Sequence, residues 1–142
     1  MSKFKFVGFQ EHVEIPAGYE LLSVTEELPS HLDRDQLFLY FSDISKISQW
    51  LVEFHTLDLR PGGKCLFNNG EGEPVKATCI SINLGRDIAI LSDLFGQLNV
   101  EVEKAPSGSK ALITFAILTD SPEKLREIYA KYLSDLKNLV SA

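Results

Sequence analysis

The chain has few of the features that mark catalytic, metal-binding or membrane-spanning proteins. Its 142 residues include two cysteines, three histidines and one tryptophan. The histidines are isolated, and there is no CxxC or HxxxH spacing for a metal. No nucleophile elbow, glycine-rich phosphate loop or paired-carboxylate spacing is present. No run is long or apolar enough to span a bilayer, and the N-terminus lacks the apolar core of a secretory signal. We therefore predict no metal, no cofactor and a cytoplasmic location.

The charge balance argues against nucleic acid or an anionic membrane as the main partner. The chain has 14 Lys and Arg against 20 Asp and Glu, a net charge of −6, and no basic cluster that could neutralise phosphates. Hydrophobic residues make up 44% and charged residues 24%, which is ordinary for a globular protein. A chain of this length buries roughly two-thirds of its unfolded surface, so we expect one domain spanning residues 1–142.

The strongest local pattern predicts a long amphipathic helix from Ser121 to Val140. Ser121 is a favourable N-cap, and Pro122 suits the first helical position. Apolar residues recur at spacings of three and four along one stripe, namely Leu125, Ile128, Tyr129, Tyr132, Leu133, Leu136, Leu139 and Val140. The helix is therefore expected to have one buried face, with each tyrosine hydroxyl reaching a partner or water.

Short strands separated by turn residues precede this helix. The predicted strands are Tyr19–Leu28, His55–Arg60, Lys64–Phe67, Val75–Ile82, Asp87–Ser92, Gln97–Lys104 and Lys110–Leu118. After the first strand the period changes to three and four through Leu37, Phe41, Ile44, Ile47 and Leu51, which predicts two short helices broken at Ser42-Asp43. The order is strand, two helices, an antiparallel meander and a closing helix.

Three further predictions concern individual segments. In Gln97–Lys104, Leu98, Val100 and Val102 alternate with Gln97, Asn99, Glu101 and Glu103, so we expect one buried and one solvated face. Cys65 and Cys79 lie on neighbouring strands and are interpreted as buried thiols. Residues 1–18 form an N-terminal extension or an edge strand, because Lys3–Phe9 alternates charged and aromatic residues only partly.

Four strings, in this order, resemble the START-like (SRPBCC, helix-grip) superfamily, and within it the group related to the activator of the Hsp-ninety ATPase. LFLYFSDISKISQWL, at Leu37–Leu51, is similar to its paired short helices, and LRPGGKCLF, at Leu59–Phe67, to its Gly-Gly hairpin. VKATCISINLGRDIAI, at Val75–Ile90, and YLSDLKNLV, at Tyr132–Val140, resemble its later strands and closing helix. The resemblance covers Leu21–Val140. It departs at Glu73-Pro74, where the family often has glycine, and at Ile90–Leu94, where it often has tryptophan.

The resemblance implies an α+β helix-grip fold. A curved antiparallel sheet of six or seven strands would wrap around the C-terminal helix and leave a cavity for a hydrophobic molecule. We expect the cavity to be lined by Trp50, Phe54, Phe67, Leu98, Val100, Phe115, Ile128, Tyr129 and Tyr132, with Thr78 or Cys79 on the sheet depending on register. The choice of strand residues that face the cavity depends on the register, because a slip of one residue moves every side chain of a strand to the other face.

Three functions remain open from the sequence. A non-catalytic carrier or sensor of a hydrophobic small molecule or lipid is favoured, because the expected lining is apolar. A cyclase- or hydrolase-type enzyme would need an acid–base pair, for which His55, Tyr132, Glu71 and Glu73 are the candidates. A chaperone-interacting module is implied by the family resemblance alone.

Overall fold

A computed structural model describes residues 15–68 and 72–141 of the chain. The strands are β1 (Glu20–Ser30), β2 (Phe54–Leu57), β3 (Lys64–Asn68), β4 (Pro74–Asn83), β5 (Asp87–Ser92), β6 (Gly96–Ala105) and β7 (Gly108–Thr119), and the helices are α1 (Arg34–Ser42), α2 (Ile44–Ile47) and α3 (Pro122–Val140). The prediction that residues 1–18 form an extension or an edge strand lies largely outside the described residues.

The strands form one antiparallel sheet of seven strands in the order β1-β7-β6-β5-β4-β3-β2. From β2 to β7 each strand pairs with the next in sequence, and β1 joins β7 along its whole length, from Glu20 opposite Thr119 to Ser30 opposite Ser109. The predicted helix-grip fold is confirmed, with two short helices after the first strand and one long helix at the end.

Local capping explains why α1 and α2 are two helices and not one. The Asp33 carboxylate accepts a hydrogen bond from the Gln36 backbone amide at 2.8 Å, which begins α1. Asp43 has an extended conformation, which ends α1, and its carboxylate accepts from the Lys46 amide to begin α2. The break predicted at Ser42-Asp43 follows from this double role of one aspartate.

Helix α3 begins at Pro122 as predicted, but Ser121 does not cap it through its side chain. The Ser121 hydroxyl lies 3.1 Å from an Asp120 carboxylate oxygen, and the Ser121 amide donates to the Thr119 hydroxyl. The sequence preference for serine at an N-cap was therefore misleading here, because Ser121 has a φ of −130° and a ψ of 61°, outside the extended region in which an N-cap side chain usually reaches the first helical amides.

The sheet has two distinct faces, and the helices lie on one of them. We call this the inner face. It carries Leu98 and Phe115, which are opposite each other on β6 and β7, and Phe115 stacks on Tyr129 of α3. Helix α1 contacts β6 and β7, and its Leu37 and Phe41 belong to the same buried core. Side chains of the opposite parity, among them Gln97 and Asn99, lie on what we call the outer face.

The outer face differs from the sequence prediction. Gln97 is 0% exposed and Asn99 is 3% exposed, whereas the alternating pattern predicted a solvated face. Further along β6 the prediction improves, since Glu101 is half-buried and Glu103 is exposed. Alternation identified the two faces correctly, but it assigned solvent to a strip that is buried.

Candidate ligand site between the closing helix and the sheet

The contact between α3 and the inner face is built on three aromatic rings. Phe115 on β7 stacks on Tyr129, with ring centroids 4.5 Å apart and planes 14° apart. Tyr132 packs against the same phenylalanine at 5.9 Å with a tilt of 34°. One phenylalanine of the sheet is thus shared by two helix tyrosines three residues apart, which is the spacing that places both on one side of a helix.

Tyr129 is held at both ends of its side chain. Its hydroxyl donates a hydrogen bond to the Phe95 carbonyl at 2.8 Å, and the residue is 0% exposed. Burial raises the pKa of the Tyr129 phenol well above its usual value, with the neighbouring Tyr132 as a smaller cause. The phenol therefore stays protonated and acts as a hydrogen-bond donor that ties α3 to the turn between β5 and β6.

Most of the predicted lining belongs to the closed core. The following predicted lining residues are 0 to 6% exposed: Trp50, Phe54, Phe67, Leu98, Val100, Phe115 and Tyr129. Side chains with no accessible surface have no water-sized space beside them. The structure brings these residues together on the inner side of the sheet, and they pack against one another and their neighbours.

Two predicted residues, Ile128 and Tyr132, are only half-buried. The Tyr132 hydroxyl makes no hydrogen bond to any of the described residues. Burial raises the pKa of this phenol too, so it remains neutral. Leu125 and Ile117 are also half-buried and pack against the core. The first half of α3 therefore has an apolar border with one hydroxyl that has no hydrogen-bond partner among the described residues and is accessible to solvent.

The register decides between Thr78 and Cys79. Thr78 is opposite Leu91, which is opposite Gln97, so Thr78 lies on the outer face. Cys79 is opposite Ile90, which is opposite Leu98, so Cys79 lies on the inner face and is fully buried. Of the two alternatives, the pairing places Cys79 on the side of the helix.

Both cysteines are buried free thiols. Burial raises the pKa of Cys65, and it raises the pKa of Cys79 to about 11, with the nearby Cys65 as a smaller cause. Cys65 is opposite Ala77 and therefore lies diagonally across from Cys79. Thiols of raised pKa are poor nucleophiles, so the structure places two unreactive apolar side chains here.

Sequence reasoning missed Phe95, which joins the two halves of the core. Its ring stacks on Phe67 at 5.9 Å, Phe67 packs edge-on against Phe54 at 5.6 Å, and its carbonyl accepts from Tyr129. The signal in the sequence that could have identified Phe95 is the glycine that follows it. In the structure Gly96 has a φ of 76°, which suits glycine and marks a tight turn. A tight turn directs the preceding aromatic side chain back over the sheet.

Trp50 is fixed by a contact the sequence did not suggest. Its indole N–H donates to the Tyr40 carbonyl at 2.7 Å, and Phe41 packs edge-on against its ring at 5.7 Å. The tryptophan therefore joins the segment after α2 to α1, and its 2% exposure places it in the core.

The candidates for acid–base chemistry do not form a pair. His55 and Glu73 are exposed and make no hydrogen bond or ion pair with a described residue. His55 lies on β2 and Glu73 precedes β4, with β3 between these strands. Tyr132 lies on α3, and Glu71 is outside the described residues. Residues 15–68 and 72–141 contain no group of three or more side chains suited to a metal ion. None of the helices among them has the length and apolarity to cross a membrane.

Solved structures support the fold and leave the family open. No family model matches the chain, and no curated protein does. A protein from Mesorhizobium loti matches with a TM-score of 0.70 and 11% identity, over 83% of this chain and 96% of its own. A Bacillus halodurans protein matches with a TM-score of 0.71 and 10% identity, over 84% and 97%. An AHSA1-like protein from Aeromonas hydrophila matches with a TM-score of 0.65 and 17% identity, over 82% and 90%.

These matches establish a START-like, helix-grip fold and no more, because identity at this level shows architecture alone. One neighbour is AHSA1-like by its name, which agrees with the group that the sequence strings resemble.

Proposed function

We propose that the protein binds a hydrophobic small molecule or lipid beside the first half of α3, as a non-catalytic carrier or sensor. The observation that carries the proposal is the Tyr132 side chain. Its ring packs on Phe115, it is half-buried, and its hydroxyl has no partner among the described residues. A tyrosine in a finished core would have a partner, as Tyr129 has.

The neighbouring residues define what the site would accept. Ile128, Leu125 and Ile117 offer apolar surface at the same border, so the body of the ligand is apolar. The Tyr132 phenol is neutral and offers one hydrogen bond, so the ligand carries a polar group that pairs with it. The inner-face residues next to this border are fully packed. A ligand that inserts between α3 and the sheet therefore requires a small shift of α3 or of the turn at Phe95.

Native mass spectrometry of the protein purified from its source tests the proposal directly. We expect the protein to retain an apolar molecule in the native spectrum and to release it when it is denatured in organic solvent. Ile128→Asp and Tyr132→Asp place a charge at the border and should lower retention at least about tenfold, since a desolvated carboxylate opposes apolar contact. Ala130→Asp is the matched control, because Ala130 is exposed on the same helix.

The outcomes are distinct. Loss of the ligand in the two border variants, with retention in the control, supports the proposal. Equal retention in all four proteins would place the ligand elsewhere. An empty protein at every concentration of an added panel of fatty alcohols, sterols and fatty acids would overturn it.

A further inference from the structure

Two neighbouring glutamates of β1 lie on opposite faces of the sheet, and they differ in their partners. Glu27 is on the outer face, where its carboxylate lies 3.8 Å from the Lys110 ammonium. Glu26 is opposite Ile113, which is opposite Val100, so Glu26 lies on the inner face. The Glu26 carboxylate makes no hydrogen bond or ion pair with a described residue. The inner face therefore carries a carboxylate whose charge no described side chain neutralises.

The position of Glu26 sets it apart from the other charged residues of the inner face. In the described strands, the pairing places Glu20, Glu26 and Lys104 on this face. Glu20 begins β1, and Lys104 is the last residue but one of β6, whereas Glu26 lies in the middle of its strand. The residues that flank it on the same face are Val24 and Leu28. A carboxylate among apolar side chains is stabilised by a cation that pairs with it.

Helix α3 runs past Glu26 and brings the border of the proposed ligand site to it. At one end of β1 the Ser30 hydroxyl donates to the Val140 carbonyl at 2.6 Å. Further back along the strand, Tyr132 packs on Phe115, whose partner on β1 is two residues before Glu26, or roughly 7 Å away. Glu26 therefore lies beside the part of α3 between Tyr132 and Val140. The carboxylate and the Tyr132 phenol belong to the same border.

The charge at this border is negative. Asp135 is three residues after Tyr132 on the same side of α3, and its carboxylate pairs with the Lys131 ammonium at 2.9 Å. The single lysine of β7, Lys110, lies on the outer face and pairs with Glu103 at 3.2 Å. A positively charged group of a ligand would thus meet a carboxylate that is not neutralised, and a negatively charged group would be repelled.

We propose, on the basis of the function proposed above, that the molecule bound at this border is a hydrophobic amine whose protonated nitrogen pairs with the Glu26 carboxylate. An alkylamine is protonated at neutral pH, as a lysine side chain is. Its apolar body lies along Leu125 and Ile128, which are half-buried on the same helix. An ammonium has three N–H donors, so one bonds to the carboxylate and another to the Tyr132 hydroxyl oxygen.

Calorimetric titration with three probes of equal chain length tests the charge of the ligand. The probes are decylamine, decanol and decanoate, each below the concentration at which it forms micelles. We expect decylamine to bind at least about tenfold more tightly than decanol, and decanoate to bind most weakly. Glu26→Gln should reduce the affinity for decylamine to that for decanol. Glu27→Gln, at the neighbouring position on the outer face, is the matched control and should retain the preference.

Nuclear Overhauser contacts in the wild-type complex locate the nitrogen. We expect the methylene group next to the nitrogen of decylamine to contact the Glu26 side chain and the Tyr132 ring. Decanol is neutral and reports separately on the proposed function, because its binding should weaken in Ile128→Asp whatever the outcome at Glu26.

Three results would overturn the proposal. The first is equal affinity of the wild-type protein for decylamine and decanol, and the second is an unchanged preference for decylamine in a folded Glu26→Gln variant. With either result, decanol binding that weakens in Ile128→Asp would leave the proposed function standing. The third is self-association of Glu26→Gln with unchanged affinity for decylamine, which would show that the carboxylate protects the edge of β1 against pairing.

Discussion

Tyr129 and Tyr132 differ in the hydrogen bonding of their hydroxyls, although they lie three residues apart on α3 and share Phe115. Tyr129 is fully buried and its hydroxyl donates to the Phe95 carbonyl. Tyr132 is half-buried, and its hydroxyl has no partner among the described residues. The comparison shows that two residues within one turn of α3 can differ in role. Tyr129 is a fully buried, hydrogen-bonded core residue, whereas Tyr132 lies at the half-buried border of the core. We expect the ligand to bind at this border.

Removing the Tyr129 ring is expected to have the largest effect on stability. Tyr129→Ala deletes the stacked contact with Phe115 and the hydrogen bond to Phe95, at a cost of about 3–5 kcal/mol in the free energy of unfolding. Tyr132→Ala leaves the closed core intact and should cost less than half as much. Urea unfolding followed by circular dichroism measures both. Equal costs would contradict the division between core and border.

Substituting the glycine beside Phe95 tests the turn that holds Tyr129. Gly96 has a φ of 76°, and a Cβ there would overlap the Ala116 carbonyl oxygen and lie 2.7 Å from the Ile117 Cβ. Gly96→Ala should therefore cost about 2–4 kcal/mol. Gly62→Ala is the matched control, because Gly62 has a φ of 81° but no atom within 4 Å of the added Cβ. It should cost about 1 kcal/mol, the backbone strain alone.

Deleting the two hydroxyls separately compares the tyrosines most directly. Tyr129→Phe leaves the buried Phe95 carbonyl without its donor and should cost about 1–3 kcal/mol. Tyr132→Phe removes a hydroxyl with no described partner and should change unfolding by less than about 0.5 kcal/mol. The same Tyr132→Phe variant should bind the proposed ligand more weakly. A stability loss at Tyr132→Phe equal to that at Tyr129→Phe would show that both hydroxyls are structural.

The smallest expected effect is a loss of stability at alkaline pH, caused by Cys79 on the inner face. Cys79 has a pKa of about 11 in the folded protein against an ordinary value of 9.0, mainly through burial. The unfolded thiol loses its proton first, so stability is fully present below pH 9 and is lost as the pH rises toward 11. At pH 10 the loss is about 1 kcal/mol. The decrease should be smaller in Cys79→Ala, measured by urea unfolding from pH 8 to 10.5. An identical slope in both proteins would assign the decrease to other groups.

The sequence predicted the order of elements because that order depends on local patterns. Apolar spacing predicted α3, and Pro122 predicted the residue at which it begins. Ser42-Asp43 predicted the break between α1 and α2. Thr78 and Cys79 were undecided, since only the pairing of β4 with β5 shows which one is on the helix side. A β-bulge between Cys79 and Ser81 shifts that pairing, and no local pattern marks it.

The sequence allowed candidate lining residues to be named. It did not allow the space between their side chains to be predicted. The register places Phe67, Leu98, Val100 and Phe115 on the inner face and Thr78 on the outer face, yet whether the inner side chains leave space for a ligand depends on neighbours from several elements. Phe95 shows the reason. It fills the region between Phe67 and Tyr129 from a turn whose direction depends on the φ of Gly96.

The chain's sequence by itself determined a domain of short antiparallel strands closed by one amphipathic helix, because periodicity and turn residues act over a few positions. Only the tertiary structure decided which tyrosine is core and which is border, and that Gln97 and Asn99 are buried. Those properties depend on what lies opposite each side chain in space. Such contacts join residues far apart in the chain, as Tyr129 and Phe95 are, and alternation along one strand does not record them.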